Sequence, residues 1–140
     1  MLWKEKYKIG IPTIDQQHEE LFSRVADFVQ AIRQDGRWEE KIEKVKETMV
    51  FLQEYVVTHF NYEEKYQQTL GYPDFEEHHA IHEAFKADIQ SMAQEFAAAG
   101  YHEEAVQKLA GRLLAWLINH VVASDQKMAQ YVTEQGLERI

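Results

Sequence analysis

Residues 38–70 read WEEKIEKVKETMVFLQEYVVTHFNYEEKYQQTL. Ile42, Val45, Met49, Leu52, Val56, His59, Glu63, Tyr66 and Leu70 recur there at alternating steps of three and four, the spacing of one face of an α-helix. The same seam that carries aliphatic residues therefore also carries a histidine and a glutamate. Three further segments repeat the pattern. His18, Leu21, Phe22, Val25, Phe28, Val29 and Ile32 form the first seam, and Phe75, His78, His82, Phe85, Ile89, Met92 and Phe96 form the third. Val106, Leu109, Leu113, Trp116, Leu117, His120, Val121 and Met128 form the fourth.

Helix breakers lie between these seams. Pro12 closes an N-terminal arm, and Gly36, Gly71-Tyr72-Pro73, Gly100 and Gly136 mark the stops. Thr13-Ile14-Asp15-Gln16 fits a capping box, and Asp74 after Pro73 fits an N-cap. Helices are expected over about 13–35, 38–70, 74–99 and 102–135, after an arm of residues 1–12. Such short connections make neighbouring helices antiparallel. The expected fold class is all-α: an up-down-up-down antiparallel four-helix bundle with the arm across it, as a single domain over residues 1–140.

Composition narrows the chemistry. The chain of 140 residues and 16.5 kDa has the size of one domain, and 45% hydrophobic residues supply a packed core. Fifteen Lys plus Arg against 24 Asp plus Glu give a net charge of −9, which opposes nucleic-acid and anionic-membrane partners. With no apolar N-terminal stretch and no run of roughly 18 apolar residues, a soluble cytoplasmic protein is expected. The absence of cysteine excludes disulfides, iron–sulfur clusters, thiolate zinc sites and cysteine nucleophiles. Any metal must be held by nitrogen and oxygen, and seven histidines are present to do so.

Five of those histidines fall in the seams. His59 and Glu63, and likewise His78 and His82, are spaced i, i+4 and project from one helix face. His120 and Asp125 are five apart, the least regular pair, flanking the face centred on Leu117, Val121 and Met128. At about 1.5 Å of rise per residue, His18 lies about 8 Å above the end where the first helix starts. On the same scale His59 and Glu63 lie at about 16 and 10 Å, His78 and His82 at about 6 and 12 Å, and His120 and Asp125 at about 22 and 15 Å. All seven side chains fall in one band of the core. Unpaired buried polar groups cost about 1–3 kcal/mol each, against a typical stability of roughly 5–15 kcal/mol, so such a band requires compensation. Bound metal supplies it most directly.

Seven donors exceed the four-coordinate set of one structural zinc, so two ions are implied, and imidazole with carboxylate suits iron among other transition metals. Two octahedral ions offer about twelve positions. With both carboxylates bridging and one bridging oxide or hydroxide, one position stays open for a small ligand.

These residues closely resemble the hemerythrin family, and its bacterial members in particular. The resemblance rests on Trp3 and Gly10, on Ile14-Asp15-Gln16-Gln17-His18 with Leu21, and on His59-Phe60-Asn61-Tyr62-Glu63-Glu64. It continues through Gly71-Tyr72-Pro73, His78-His79-Ala80-Ile81-His82-Glu83-Ala84-Phe85, Trp116-Leu117-Ile118-Asn119-His120 and Asp125, spanning nearly the whole chain. It implies two non-heme iron ions: one held by His78, His82 and His120, the other by His18 and His59. Glu63 and Asp125 would bridge them together with an oxo or hydroxo group. The iron with two histidines would bind dioxygen reversibly, with Phe60, Trp116, Leu117, Ile118 and Val121 forming a dry pocket. One departure is Gln67, where members of the family often carry methionine; it alters the polarity of one side of the cavity.

The reading is an oxygen carrier acting in storage, transport, delivery or sensing, with dioxygen as ligand and an unidentified protein acceptor of oxygen. A carrier rather than an enzyme is expected, with weak secondary activity left open. The alternative is a di-iron enzyme with oxidase, peroxidase, or nitric-oxide or iron-handling activity. Ferritin-like oxidases use paired Glu-x-x-His motifs, and here only Glu76-x-x-His79 fits, off the seam. His79 and His102 are expected to lie outside the ligand set, and Glu64 and Glu76 to be solvated.

Overall fold

The structure, a computed structural model, describes residues 5–137. Trp3 and the first four positions of the expected arm lie outside the described residues. After a single 3-10 turn at Glu5–Tyr7 come α1 (Pro12–Arg33), α2 (Trp38–Leu70), α3 (Phe75–Ala99) and α4 (Glu103–Asn119). A π-helical turn, His120–Asp125, then leads without a break into α5 (Gln126–Glu134). The backbone stays right-handed helical from Asn119 through Gln126, so α4, the π turn and α5 are one rod. The chain is an all-α four-helix bundle. Among the described residues no strand is present, and no helix is long and apolar enough to cross a membrane.

The ends of the rods follow local chemistry. Helix α2 stops at Gly71, whose φ of 67° places it in the left-handed region, where a Cβ is penalised. The amide of Tyr72 then donates to the Gln67 carbonyl at 3.0 Å and that of Gly71 to Gln68 at 3.2 Å, closing a Schellman turn. Two expected caps do not form. Helix α1 starts at Pro12, one residue before Thr13, because proline needs no partner for an N–H and already has helical φ. Asp15 turns backward instead, accepting from the amides of Ile9 at 2.8 Å and Gly10 at 3.1 Å, which clasps the arm to the first turn of α1. Asp74 makes no side-chain cap to α3 and pairs with Lys127 of α5 at 3.0 Å.

Two apolar clusters form the core. The larger, including Leu21, Phe22, Val25, Leu52, Val56, Phe60, Phe85, Leu113 and Leu117, fills most of the bundle length. The smaller joins Ile9 and Ile11 of the arm to Ile14, Tyr66, Tyr72, Met128 and Val132. The polar band lies between them, so the arm plugs the bundle beneath it. At the opposite end the Trp38 indole donates to the Tyr101 carbonyl at 2.7 Å, joining the start of α2 to the connection between α3 and α4.

Candidate metal centre

All seven seam residues meet in one place. His18 comes from α1, His59 and Glu63 from α2, His78 and His82 from α3, and His120 and Asp125 from the two ends of the π turn. Each is buried, with residue exposure from 0% to 3%. One ligand atom each from His18, His59, Glu63, His120 and Asp125 lie within 4.8 Å of one another, as do those of Glu63, His78, His82 and His120.

The carboxylates divide their oxygens between two groups of imidazoles. Oε2 of Glu63 faces Nε2 of His59 at 3.3 Å and of His18 at 3.8 Å. Its Oε1 faces Nε2 of His78, His82 and His120 at 3.1, 3.4 and 3.6 Å. Asp125 does the same, with Oδ1 at 2.9 Å from His78 and Oδ2 at 2.7 Å from His18. His120 lies between the groups, its Nε2 also 3.1 Å from Oδ2 of Asp125.

The π turn explains the irregular pair. On an uninterrupted α-helix, residues five apart point about 140° away from each other. A π turn carries roughly one extra residue, which returns position i+5 to the face of position i. The expected continuous α-helix over 102–135 is therefore corrected: the rod widens at His120–Asp125, which brings both side chains into the core.

Among the described residues none of the five Nε2 atoms and none of the four oxygens of Glu63 and Asp125 has a hydrogen-bond partner, although all are buried. Their close N···O approaches lack hydrogen-bond direction, and the atoms gather in two groups, each within 4.8 Å. Such a set is costly as a purely structural feature, since each orphaned buried group costs about 1–3 kcal/mol. Imidazole nitrogen and carboxylate oxygen are donors for transition-metal ions, and metal coordination would satisfy every orphan named. The residues fit a metal pair.

The outer ring nitrogens are held differently. His59 Nδ1 donates to Oε1 of Gln17 at 2.7 Å, and His82 Nδ1 donates to Oε2 of Glu64 at 2.9 Å. Gln67, fully buried, places its amide on His78 Nδ1 and against the Met128 sulfur at 3.2 Å. For His78 to offer Nε2 to a metal, Nδ1 must carry the proton, and a half-turn of the Gln67 amide presents its carbonyl to it. Among the described residues the Nδ1 atoms of His18 and His120 have no hydrogen-bond partner.

These contacts correct one expectation: Glu64 is not solvated. Its side chain is 12% exposed and lies between His82 and His79. Gln17 and Glu64 escaped the seam analysis because each projects from the edge of its helix toward a neighbouring rod, a relationship that periodicity within one segment does not encode. His79 reaches Glu64 and is directed away from the cluster; His102 is exposed, with Nε2 2.8 Å from the Ala99 carbonyl. Glu76 is exposed.

At His18, His59, Glu63 and Asp125 burial opposes the charged form, and the imidazole–carboxylate contacts oppose burial. His18 is desolvated, yet Asp125 and Glu63 beside it push its pKa up to about 9 in the metal-free chain. At His59 burial prevails and the pKa falls below 6.5. Burial alone would raise Glu63, but His18, His59 and His82 hold it well below the usual carboxylate range. Asp125 is likewise depressed, with His120 and His18 overcoming burial and the repulsion of Glu63.

Aromatic rings seal the upper side. Phe60 lies parallel to His82 at 3.8 Å between centroids, and Trp116 stacks on His120 at 4.6 Å and on Phe85 at 3.7 Å. Phe60, Trp116 and Leu117 line a small apolar cavity there, together with Leu21, Val56 and Phe85. Val121 and Ile118 belong to the adjacent core and are not among its walls.

A four-helix bundle with five inward imidazoles and two shared carboxylates defines a bundle-core metal-binding class. The model of the hemerythrin HHE cation binding domain matches residues 9–132, and the chain belongs to that family. It is similar to a bacteriohemerythrin of Clostridium acetobutylicum, 25% identical over 90% of this chain and 96% of the relative. A bacteriohemerythrin of Pseudomonas aeruginosa is 30% identical over 89% of this chain and 76% of the relative. A hemerythrin subunit alpha of Lingula anatina is 25% identical over 89% of both chains.

Proposed function

We propose that the protein binds dioxygen reversibly at a non-heme di-iron centre held by His18, His59, Glu63, His78, His82, His120 and Asp125. The observation that carries this reading is the division of Glu63: one oxygen toward His59 and His18, the other toward His78, His82 and His120. A carboxylate so placed would help to hold two ions, with His59 and His18 on one side, His78 and His82 on the other, and His120 nearer the latter by its approach to Glu63. Ferrous iron held by these residues would supply reversible electron transfer to dioxygen.

The protein's own part is to hold that pair rigid and dry. Each imidazole is buried, and two have acceptor side chains, Gln17 and Glu64, that fix the ring with Nε2 inward. Phe60 and Trp116 stack on His82 and His120 and give the cavity beside them apolar walls, which would disfavour water there. A small apolar cavity suits a diatomic ligand, which favours a carrier over an enzyme with a larger substrate. Phe60, Trp116 and Leu117 line the pocket in this reading, backed by Val121 and Ile118. The domain spans residues 1–140, and a cytoplasmic setting and a protein acceptor for the oxygen belong to the same proposal.

The test is reconstitution with ferrous iron under argon, followed by metal analysis and visible spectra through cycles of air and argon. Two irons per chain and an absorption band that appears under air and disappears under argon support the reading. Less than one iron per chain contradicts it, and steady turnover of an added reductant without a stable coloured state favours the di-iron enzyme.

A further inference from the structure

Among the described residues, Glu64 is the one carboxylate outside the seven-residue cluster that bonds to a cluster imidazole. Its Oε2 accepts from His82 Nδ1 at 2.9 Å, and its Oε1 is held by His79 Nδ1. His79 is itself steadied by stacking on Phe75 at 5.8 Å. Glu64 is thus clamped from two sides, with its side chain only 12% exposed. The other imidazoles are treated differently: His59 and His78 meet the neutral amides of Gln17 and Gln67, and Nδ1 of His18 and His120 has no hydrogen-bond partner among the described residues.

An ionised carboxylate can only accept, so it fixes the proton of His82 on Nδ1 and leaves the Nε2 lone pair facing the cluster. A charge-assisted bond of this kind is about twice as strong as a neutral one, and its negative charge makes the ring a stronger donor to a metal. Gln17 supplies the same geometry to His59 without the charge.

We infer that Glu64 is a positioning residue for His82 and that its charge makes the three-histidine side of the centre the more electron-rich of the two. The inference rests on the metal-binding reading above and extends it to a group outside the ligand set. His79 serves it indirectly by holding the second oxygen of Glu64.

Zinc, which is diamagnetic and takes no part in redox chemistry, is the probe. Zinc affinity by chelator competition and the His82 Nδ1–H resonance by nitrogen-15 NMR are compared in the wild type, Glu64→Gln and Gln17→Glu. Glu64→Gln keeps an acceptor of the same shape and removes only the charge. It is expected to retain helical circular dichroism, to move the His82 resonance upfield, and to weaken the tighter zinc site by about 10-fold to 100-fold. Gln17→Glu is expected to move the His59 resonance downfield. An unmoved His82 resonance with affinity within about twofold of wild type overturns the inference and leaves the two-metal reading standing. Lower thermal stability of metal-free Glu64→Gln with unchanged zinc affinity also overturns it, as a merely structural role. A wild-type protein that binds no zinc, cobalt or iron overturns the two-metal reading and the inference together.

Discussion

His120 Nε2 lies 3.1 Å from Oδ2 of Asp125, although the two residues are five apart along one continuous helical rod. A widened π turn makes this approach possible, and it places both side chains in a layer whose neighbours above and below are apolar. The extra residue of the turn acts as an insertion absorbed locally. Deleting Ala123 should leave a regular α-helix in which the histidine and carboxylate are four apart and Met128 and Val132 still face the core. Adding an alanine after Ala123 should instead turn α5 by about 100° and expose them. The deletion is expected to fold with near wild-type helical content, and the insertion to lose its cooperative melt. Equal tolerance of both changes would contradict this account of the turn.

Removing the shared carboxylate should matter more than removing any outer partner. Glu63→Gln keeps the shape but removes the charge that faces both imidazole groups. The weaker metal is expected to be lost outright, since even outer-shell changes cost about 10-fold to 100-fold in affinity. Metal analysis after gel filtration checks this: one ion or fewer per chain is expected, and two would contradict it.

The metal-free and metal-loaded forms should respond oppositely to pH. His18 titrates at about 9 in the metal-free fold and at 6.5 when unperturbed. A raised pKa contributes stability that is complete below 6.5 and is lost as pH rises through about 9. His59, pushed down by burial, acts below 6.5 and does not offset this. Glu63, depressed below 4.5, adds stability above that value and loses it on acidification. The metal-free protein is therefore expected to melt at lower temperature at pH 9 than at pH 6.5. The loaded protein needs neutral imidazoles and is expected to gain over the same range and to release metal in acid. Thermal melts of both forms check the prediction, and a metal-free melt that rises toward pH 9 would contradict it.

The four seams, the inward direction of all seven candidate ligands and their common level were legible because a period of 3.6 residues maps burial within each segment. The π turn was not, because one extra residue inside a helix leaves the apolar pattern on both sides intact. The capping box at Thr13-Ile14-Asp15-Gln16 was misread for a related reason: it gave Asp15 no part, whereas that carboxylate accepts from the amides of the preceding chain. Pro12, by starting the helix one residue early, takes Thr13 out of the N-cap position. Glu64 was read as solvent-facing because its partners, His79 and His82, come from α3, and the contact exists only after the rods pack.

Asp15 gives a direct test of the arm. Asp15→Ala removes the acceptor for the Ile9 and Gly10 amides, leaving a buried donor unpaired at Ile9. A loss of about 1–3 kcal/mol is expected by urea denaturation, with faster hydrogen exchange confined to the arm. Unchanged protection at Ile9 would show that the clasp is not what holds the arm.

Phe60 tests the dry cavity. It is fully buried and stacked on His82 at 3.8 Å. Phe60→Ala should cost about 3–5 kcal/mol in the metal-free protein and admit water beside the centre. The iron-loaded variant is expected to lose its oxygenated colour at least about tenfold faster than wild type, a change of about 1.4 kcal/mol in barrier. An equal lifetime would assign water exclusion to other residues.

The account's central claim is reversible binding of dioxygen by a two-iron centre, and gas uptake tests it most directly. Iron-loaded protein is exposed to a measured amount of dioxygen, and the gas taken up and then released under argon is quantified per chain. One dioxygen bound for every two irons and recovered nearly in full is the predicted result. Dioxygen that is consumed and not returned, or uptake unrelated to the pair of irons, would contradict the claim.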